Sequence, residues 1–420
     1  MIVFKFGGAS IKNATAAKNV LKILDNYKHN DLFVVISAIG KTTNMLEQLI
    51  NKLEGTRDCL LKQYNEIKDF HLAVLEELLP GNQKALQHLM DLFSELLSEL
   101  DKTPEDNYDR TYDRIICYGE LFSTSIIVHY FESRQFPVKY LAAQQLIITD
   151  ETWREARVNW EETIMRIREN VESHKEQIFI TEGFIGSSVN GHPVSLGREG
   201  SDFTAAIVAF ALDAEEVMIW KDVPGLMNAD PKIFPEAEKL DVISYHETIE
   251  LAYYGAKVIH PKTIKPLQNK KIPLRVKSFV NPADEGSLIQ SLNAYDQIIP
   301  SFIVKNNQIL ISVATKDFTF IMEDHLSFIF SLMSQNNIRA NLMQNSAISF
   351  SVCVDDKGSK TNRFIELLAA TFDLKFNANL DLITIRHFND EAISRLLKDK
   401  NVIVEQRSRN TAQFVVKSQS

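Results

Sequence analysis

Cysteine is scarce: Cys59, Cys117 and Cys353 are the only three in 420 residues, far apart and without a CxxC pairing. That spacing excludes a disulfide framework and a thiolate zinc site, and a reducing, cytoplasmic setting is expected. No run of about 18 apolar residues occurs, so no membrane span and no membrane partner is expected. The opening MIVFKFGGAS lacks the apolar stretch and cleavage site of a secretory leader. Positive charge is in deficit, since Lys+Arg 46 against Asp+Glu 55 leaves −9. A partner held through nucleic-acid phosphates is therefore not expected. Walker A, HExxH and GxSxG patterns are missing too. What is present is an ordinary globular composition, 45% apolar and 24% charged, in a chain long enough for two or three domains.

The first half alternates strand and helix. Ile2–Phe6 is a short apolar run ending at Gly7-Gly8, Asn13–Tyr27 has helical spacing, and Leu32–Ile36 reads as a buried strand. That order predicts a parallel sheet covered by helices. From about Thr43 to Leu100 the pattern is helical, until Thr103-Pro104-Glu105-Asp106 breaks it; Tyr112–Phe131 is expected to be one further buried helix. Strands at Ile178–Thr181, Glu216–Trp220 and Leu274–Lys277, with helices at Ser201–Leu212 and Glu247–Tyr254, resume the alternation. Leu274–Lys277 is expected to close the sheet. The turn residues Asn281–Gly286 are expected to mark a domain boundary. Beyond about residue 297 the elements shorten into a βαββα order: Ile309–Ala314, Leu326–Ser334, Ile338–Met343, Ile348–Val354 and Asn362–Thr371. A shorter copy follows at Leu380–Arg386, Asp390–Lys398, Val402–Gln406 and Gln413–Val416, and Ile298–Val304 is placed to supply its missing edge. The expected domains are 1–290, with a helical insertion at about 43–105, and 297–420.

Several segments carry chemistry. Lys5-Phe6-Gly7-Gly8 brings a lysine and a glycine turn to a helix start, where unsatisfied N–H groups favour an anion; a plain tight turn is the structural alternative. Ser37–Thr43 repeats the device, with Thr43 as the expected N-cap if its role is only structural. Glu120 is a carboxylate in an apolar helix, either satisfied internally or awaiting a ligand's cation. Arg198 offers a planar fork for a carboxylate, and Asp202, four residues on, either caps the following helix or joins the site. Lys221-Asp222 and Asn228–Lys232 follow another strand and also suit turns. Lys257 lies beside a helix end, and His260 reads as packed or capping.

Taken in order, KFGGAS at Lys5–Ser10, SAIGKTTNML at Ser37–Leu46, Gly119-Glu120, TEGFIG at Thr181–Gly186, LGREGSDFTAA at Leu196–Ala206, WKDVPGLMNADPK at Trp220–Lys232 and YGAKVIHP at Tyr254–Pro261 resemble the aspartokinase family. Seven collinear motifs cover nearly the whole chain. The resemblance implies a three-layer α/β amino-acid-kinase domain with a mainly parallel sheet, followed by paired α+β ACT-like modules. No sequence remains for the homoserine dehydrogenase of bifunctional relatives. It implies transfer of the ATP γ-phosphoryl group to the β-carboxylate of L-aspartate, with Mg²⁺ arriving on the nucleotide and no resident metal. By the same resemblance Lys5, Asp202 and Lys257 are catalytic. Ser37, Thr43, Glu120, Arg198 and Ser201 hold aspartate. Lys5, Gly7, Gly8, Lys221, Asp222, Met227, Lys232, Lys257 and Val258 surround ATP. Asn341, Gln344, Asn345 and Ser346 are the expected contacts of an amino-acid effector, lysine or threonine. A homodimer or higher homo-oligomer is expected.

The sequence departs from the family pattern at named positions. Ala9 replaces threonine, Glu199 replaces glycine, Lys221 replaces threonine, His325-Leu326 stands for glycine-phenylalanine-leucine, Asn341 replaces aspartate, and Ala347 stands where lysine-sensitive relatives carry glutamate. These departures motivate two alternatives: a non-catalytic amino-acid-binding regulator, or a kinase of a related acidic amino acid.

Overall fold

The computed structural model describes residues 1–102, 107–174, 177–256, 259–291, 299–317 and 319–417. The chain forms two compact units: Met1–Leu226 with Lys239–Ile249 and Val258–Asp296, and Met227–Glu238 with Glu250–Lys257 and Gln297–Ser420.

In the first unit, runs of β-branched and aromatic residues set the framework. Ile2–Phe6 (β1) and Leu32–Ile36 (β2) pair in parallel, and β2 is buried at every position, as a strand covered on both faces must be. Lys139–Tyr140 (β3), Ile178–Glu182 (β4), Glu216–Lys221 (β5), Val242–Ser244 (β6), Leu274–Ser278 (β7) and Ser287–Gln290 (β8) complete an eight-stranded sheet in the order β6-β8-β7-β5-β1-β2-β4-β3. All neighbours are parallel except β7 and β8. The chain leaves β1 for β2 on one side and later returns to β5 on the other, so the strand order reverses between β1 and β5. A crevice outside the carboxyl ends of strands at such a reversal is where open α/β sheets bind ligands. The helix Gly200–Leu212 is buried along nearly its whole length and packs against β1, β2 and β5. Trp220 anchors the core below, stacked on Phe6 at 5.9 Å.

Three expectations need correction here. The segment Tyr112–Phe131 is two helices, Tyr108–Ile116 and Tyr118–Ser133, interrupted at Cys117. Just after the break, Gly119 lies so close to β2's loop that an added Cβ would be 3.3 Å from the Ala38 Cβ. Leu274–Ser278 does not close the sheet, because β8 and β6 extend it. Asn281–Gly286 is the hairpin loop between antiparallel neighbours β7 and β8 rather than a boundary. The break expected at residues 103–106 lies outside the described residues.

The second unit is built on six strands: Ser301–Ala314 (β9), Ala340–Asn345 (β10), Ser349–Asp355 (β11), Asp373–Arg386 (β12), Val402–Arg407 (β13) and Thr411–Lys417 (β14), in the order β10-β11-β9-β12-β14-β13. The two 14-residue strands β9 and β12 run through both modules. Their pairing shifts register around Lys305–Leu310, with Asn307 in left-handed conformation at φ 56°. Ser301–Lys305 pairs with Leu382–Arg386 in one half, and Gln308–Ala314 with Asp373–Leu380 in the other. The two modules therefore share strands. The helices Glu323–Gln335 and Ser359–Thr371 cover the first half around Ile311, Val352 and Phe364, and Asp390–Leu397 covers the second around Ile385 and Phe414.

Candidate active site

Lys5 is the fourth residue of β1, and only 8% of it is exposed. Its Nζ lies 2.5 Å from Asp202 Oδ1, and the Lys221 Nζ at the end of β5 lies 3.7 Å from Asp202 Oδ2. Adjacent strands and the first turn of the Gly200–Leu212 helix thus converge at the β1/β5 reversal. Burial by itself would raise the Asp202 pKa, but the Lys5 and Lys221 ammonium groups outweigh it and hold the carboxyl below its ordinary value. One carboxylate thus faces two ammonium groups. Gly7 sits beside the Lys5 ammonium, since a Cβ on it would be 3.3 Å from Lys5 Nζ. Gly8 cannot be replaced without backbone movement: a Cβ would meet the Gly40 carbonyl at 2.8 Å and the Ala38 carbonyl at 2.9 Å.

Glu120 enters from the Tyr118–Ser133 helix and is 3% exposed. Its Oε1 accepts a 3.3 Å hydrogen bond from the Ala38 N–H, while Oε2 is buried without a hydrogen-bond partner. Burial pushes its pKa up to about 8; the Ala38 N–H and the Lys5 charge oppose that rise, and Glu182 adds to it. A buried carboxyl with an unused oxygen is the group a ligand's ammonium would complete. Glu182, at the end of β4, is a site neighbour that sequence reasoning missed. It accepts from Tyr140 Oη at 2.5 Å and from the Ala143 N–H at 2.8 Å. The available signal was a glutamate closing an otherwise apolar strand.

The loop before the Gly200–Leu212 helix is held by unusual backbone. Glu199 occupies the left-handed region at φ 53°, and so does Phe184 at φ 68°. Such conformations cost a non-glycine residue energy and need external support. Phe184 N–H bonds Thr204 Oγ1 at 3.0 Å, and Glu199 Oε2 accepts the His260 N–H at 3.0 Å. Glu199 is therefore tied to the loop. His260 itself caps the Pro261–Lys270 helix through Nδ1, which accepts the Lys262 N–H at 3.2 Å. Ser201 is buried against Gly183, where an added Cβ would be 2.5 Å from the Ser201 Cβ. Arg198 is exposed.

The remaining expected residues fall in three groups. Ser37 is buried beside β1, its N–H on the Phe6 carbonyl at 3.2 Å and its own carbonyl accepting from Ser123 Oγ at 2.6 Å. Thr43 is half-buried but is not the N-cap: the helix spans Thr42–Ile50, and Lys41 precedes it without a side-chain cap. Thr42 instead turns inward and bonds the Ile39 carbonyl, and the cap position falls two residues earlier than expected. Asp202 is not the N-cap either, because Glu199 holds that position. Asp222 is exposed at the end of β5. Met227 and the exposed Lys232 belong to the second unit, and Lys257 and Val258 lie outside the described residues. In the second unit Asn341 is fully engaged. Its Oδ1 accepts from Lys305 Nζ at 2.9 Å, and its Nδ2 donates to Gln308 Oε1 and Asp355 Oδ1 at 2.8 and 2.9 Å. Gln344 and Asn345 are exposed on β10, while the Ser346 hydroxyl closes a turn with Ser349.

A resident metal does not fit this donor set. The central carboxylate is already neutralised by two ammonium groups, and no group of three or more His, Cys, Asp or Glu suited to a metal occurs among the described residues. No helix among them is long and apolar enough to cross a membrane.

A buried lysine and a half-buried one around Asp202, at the reversal of a parallel sheet and beside glycine turns, suit phosphoryl transfer, and residues 1–278 match the amino acid kinase family. The lysine-sensitive aspartokinase 3 of Escherichia coli is 30% identical over 369 residues, covering 86% of this chain and 79% of that protein. The aspartokinase of Chlamydia trachomatis is 30% identical over 341 residues, 79% of this chain and 74% of the relative. Among solved structures, E. coli aspartokinase III in complex with lysine and aspartate superposes with a TM-score of 0.83 at 25% identity, covering 99% of this chain and 96% of the other. The chain belongs to the aspartokinases of the amino acid kinase family.

Proposed function

We propose that this chain transfers the γ-phosphoryl group of ATP to the β-carboxylate of L-aspartate, giving 4-phospho-L-aspartate and ADP. The observation that carries the reading is the Lys5–Asp202–Lys221 cluster at the β1/β5 reversal, with the unused Glu120 oxygen near Lys5. Phosphoryl transfer asks mainly for alignment and charge neutralisation. Aspartate brings two carboxylates and ATP a polyphosphate, so fixed cations must offset their repulsion. Lys5 and Lys221 supply such charge, preorganised by Asp202. The carboxylate nucleophile is ionised at neutral pH, so its oxygen attacks phosphorus without a general base, and ADP leaves.

Within this reading Glu120 receives the substrate ammonium, Arg198 forks onto a substrate carboxylate, and Ser37, Thr43 and Ser201 bond the amino acid. Gly7, Gly8, Asp222, Met227, Lys232, Lys257 and Val258 surround ATP, as the family resemblance implies. Mg²⁺ enters on the nucleotide phosphates and keeps most of its waters. The lysine sensitivity named for the E. coli relative supports an amino-acid effector here, acting through the second unit around Asn341–Ser346. Association into a homodimer is supported by the outer strand β10, which has one neighbour within its sheet, and by exposed Phe320, Met343 and Ile348. A reducing cytoplasm suits the three free cysteines.

The test is an acyl-phosphate assay. With pure protein, Mg²⁺-ATP and hydroxylamine, aspartate should give the hydroxamate and glutamate should not. Absence of product from aspartate overturns the reading; equal product from both acids overturns the substrate.

A further inference from the structure

The second unit contains a cavity of about 460 Å³ to which none of the roles above is assigned. Its floor is apolar, formed by Phe234, Val304, Ile383 and Leu396. Its rim carries Arg395, Lys398 and Lys400. Arg395 lies over the Phe302 ring at 5.4 Å and 3.8 Å from Glu236 Oε1, and the other acid, Asp381, accepts from Asn306 at 2.9 Å. Both carboxylates are thus engaged, whereas neither Lys398 nor Lys400 has an ion-pair partner among the described residues. Small-molecule sites have this form: a few hundred cubic ångströms, apolar walls and a few placed polar groups. Three cations against two carboxylates leave the lining net positive, and two ammonium groups without an ion pair above an apolar floor favour an anion with an apolar body.

One wall belongs to a closed loop. Asn228 N–H bonds the Glu238 carbonyl at 2.9 Å and Glu238 N–H bonds Asn228 Oδ1 at 2.8 Å, joining the loop's two ends. Asn228 Nδ2 on the Pro300 carbonyl at 3.0 Å, and Phe302 N–H on the Asn228 carbonyl at 2.7 Å, pin its base to β9. Within the loop Asp230 accepts from the N–H groups of Lys232, Ile233 and Phe234, each at 2.9 Å. Lys232 directly precedes the two wall residues Ile233 and Phe234. Lys232 and the two wall residues thus share one hydrogen-bonded turn.

We propose that this cavity is a regulatory site for an organic anion with an apolar body, and that its occupation alters ATP affinity through the loop 228–238. The binding claim stands alone; the effect on ATP rests on the nucleotide role proposed for Lys232.

The probe is phenyl phosphate, titrated calorimetrically into the full chain saturated with ADP, so that the nucleotide site is already filled. One saturable site per chain is expected, weakened at least about tenfold by Lys398→Glu/Lys400→Glu. Inorganic phosphate and phenol should each bind about tenfold more weakly than phenyl phosphate. Both lysines are at the surface, and an unchanged aspartate KM in the double variant checks its fold. No saturable binding, binding unaffected by the double reversal, or inorganic phosphate binding as well as phenyl phosphate would overturn the site. The ATP KM should move at least about twofold with phenyl phosphate in the parent and not in the double variant. An unmoved KM with binding intact overturns the coupling. If Lys232→Ala leaves the ATP KM unchanged, the nucleotide role fails while the binding result stands.

Discussion

Replacing Lys5 by methionine keeps the apolar stem and removes the ammonium 2.5 Å from Asp202. Asp202 is 2% exposed, so the substitution strands a buried carboxylate, which costs about 3–5 kcal/mol in general. Lys221 remains 3.7 Å away on the other oxygen, which places the expected loss at the lower end, about 3 kcal/mol. Asp202→Asn is the mirror perturbation, leaving two ammonium groups without their shared counter-ion. In Lys5→Met/Asp202→Asn the buried carboxylate and its nearest cation leave together. Stability should recover to within about 1 kcal/mol of the parent, a coupling of at least about 2 kcal/mol, since Asp202→Asn alone is destabilising too. Turnover obeys different arithmetic. A preorganised group facing developing charge is worth about 10²–10³ in kcat, and restoring stability does not restore that cation. Both Lys5→Met and the double variant should therefore be slow. Urea unfolding of the four proteins, beside hydroxamate rates at saturating substrate, separates the two effects. Near-parent turnover in the double variant would refute the catalytic role, reducing Lys5 to a neutraliser of Asp202. A loss below about 1 kcal/mol in Lys5→Met would refute the buried pair.

Three further outcomes are expected. Gly183→Ala would place a Cβ 2.5 Å from the Ser201 Cβ and push the start of its helix; a shift near 1 Å is worth about 10²-fold in kcat/KM, measurable by steady-state kinetics. Glu199→Ala keeps the left-handed strain at φ 53° and loses the bond to the His260 N–H, costing about 1–3 kcal/mol, while Glu199→Gly removes the strain as well and should be about 1 kcal/mol more stable than Glu199→Ala in urea melts. Glu120 has a folded pKa of about 8 against an ordinary 4.5, so between those values the folded state holds a proton that the unfolded state has lost. Its contribution to stability is present below the lower value and is lost as pH rises through the upper one. Thermal melts should show that decline flattened in Glu120→Gln, and the parent's aspartate KM should fall as Glu120 ionises.

What the sequence made legible is what periodicity and turn chemistry encode locally. β2 was bounded to the residue because a parallel strand buried on both faces is an uninterrupted apolar run. Repeated spacing marked about 43–100 as helical but not its division into Thr42–Ile50, Arg57–Leu78 and Gln83–Asp101. The one-residue break at Cys117 carries no proline or cap signal, and Cys117 keeps right-handed helical backbone at φ −59° and ψ −26°. Likewise, Asn281–Gly286 has the same turn residues whether it joins two domains or two strands; only the pairing of β7 with β8 decides. Each of Lys5, Glu120, Asp202 and Lys221 was singled out from its motif. Their mutual geometry was not, because it depends on strand order. Glu182 and the left-handed Phe184 escaped because neither residue type announces burial or strain. At Asn341 the limit is different again: its partners Lys305, Gln308 and Asp355 come from two other strands, so nothing local could reveal that its amide is already spent.

The departures from the family pattern can be weighed as charges. Glu199 adds one negative charge where glycine is usual, and Lys221 adds one positive charge where threonine is usual. Ala9 adds none, and it is exposed; the neighbouring hydroxyl that the fold uses is Ser10 Oγ, which bonds the Trp220 carbonyl at 3.0 Å. Within the first unit these two charged departures cancel in number but not in place. The Glu199 carboxylate is held by the His260 N–H, whereas the Lys221 ammonium faces Asp202 inside the crevice. Field strength falls with distance and with solvent access, so the lysine should matter more to the transferring phosphoryl group than the glutamate. Lys221→Thr, which restores the family residue, should accordingly lower kcat, while Glu199→Gly, which also restores it, should leave kcat nearly unchanged. Hydroxamate rates for both variants decide the matter, and a larger effect at Glu199 would mean that its carboxylate leaves His260 and reaches the substrates.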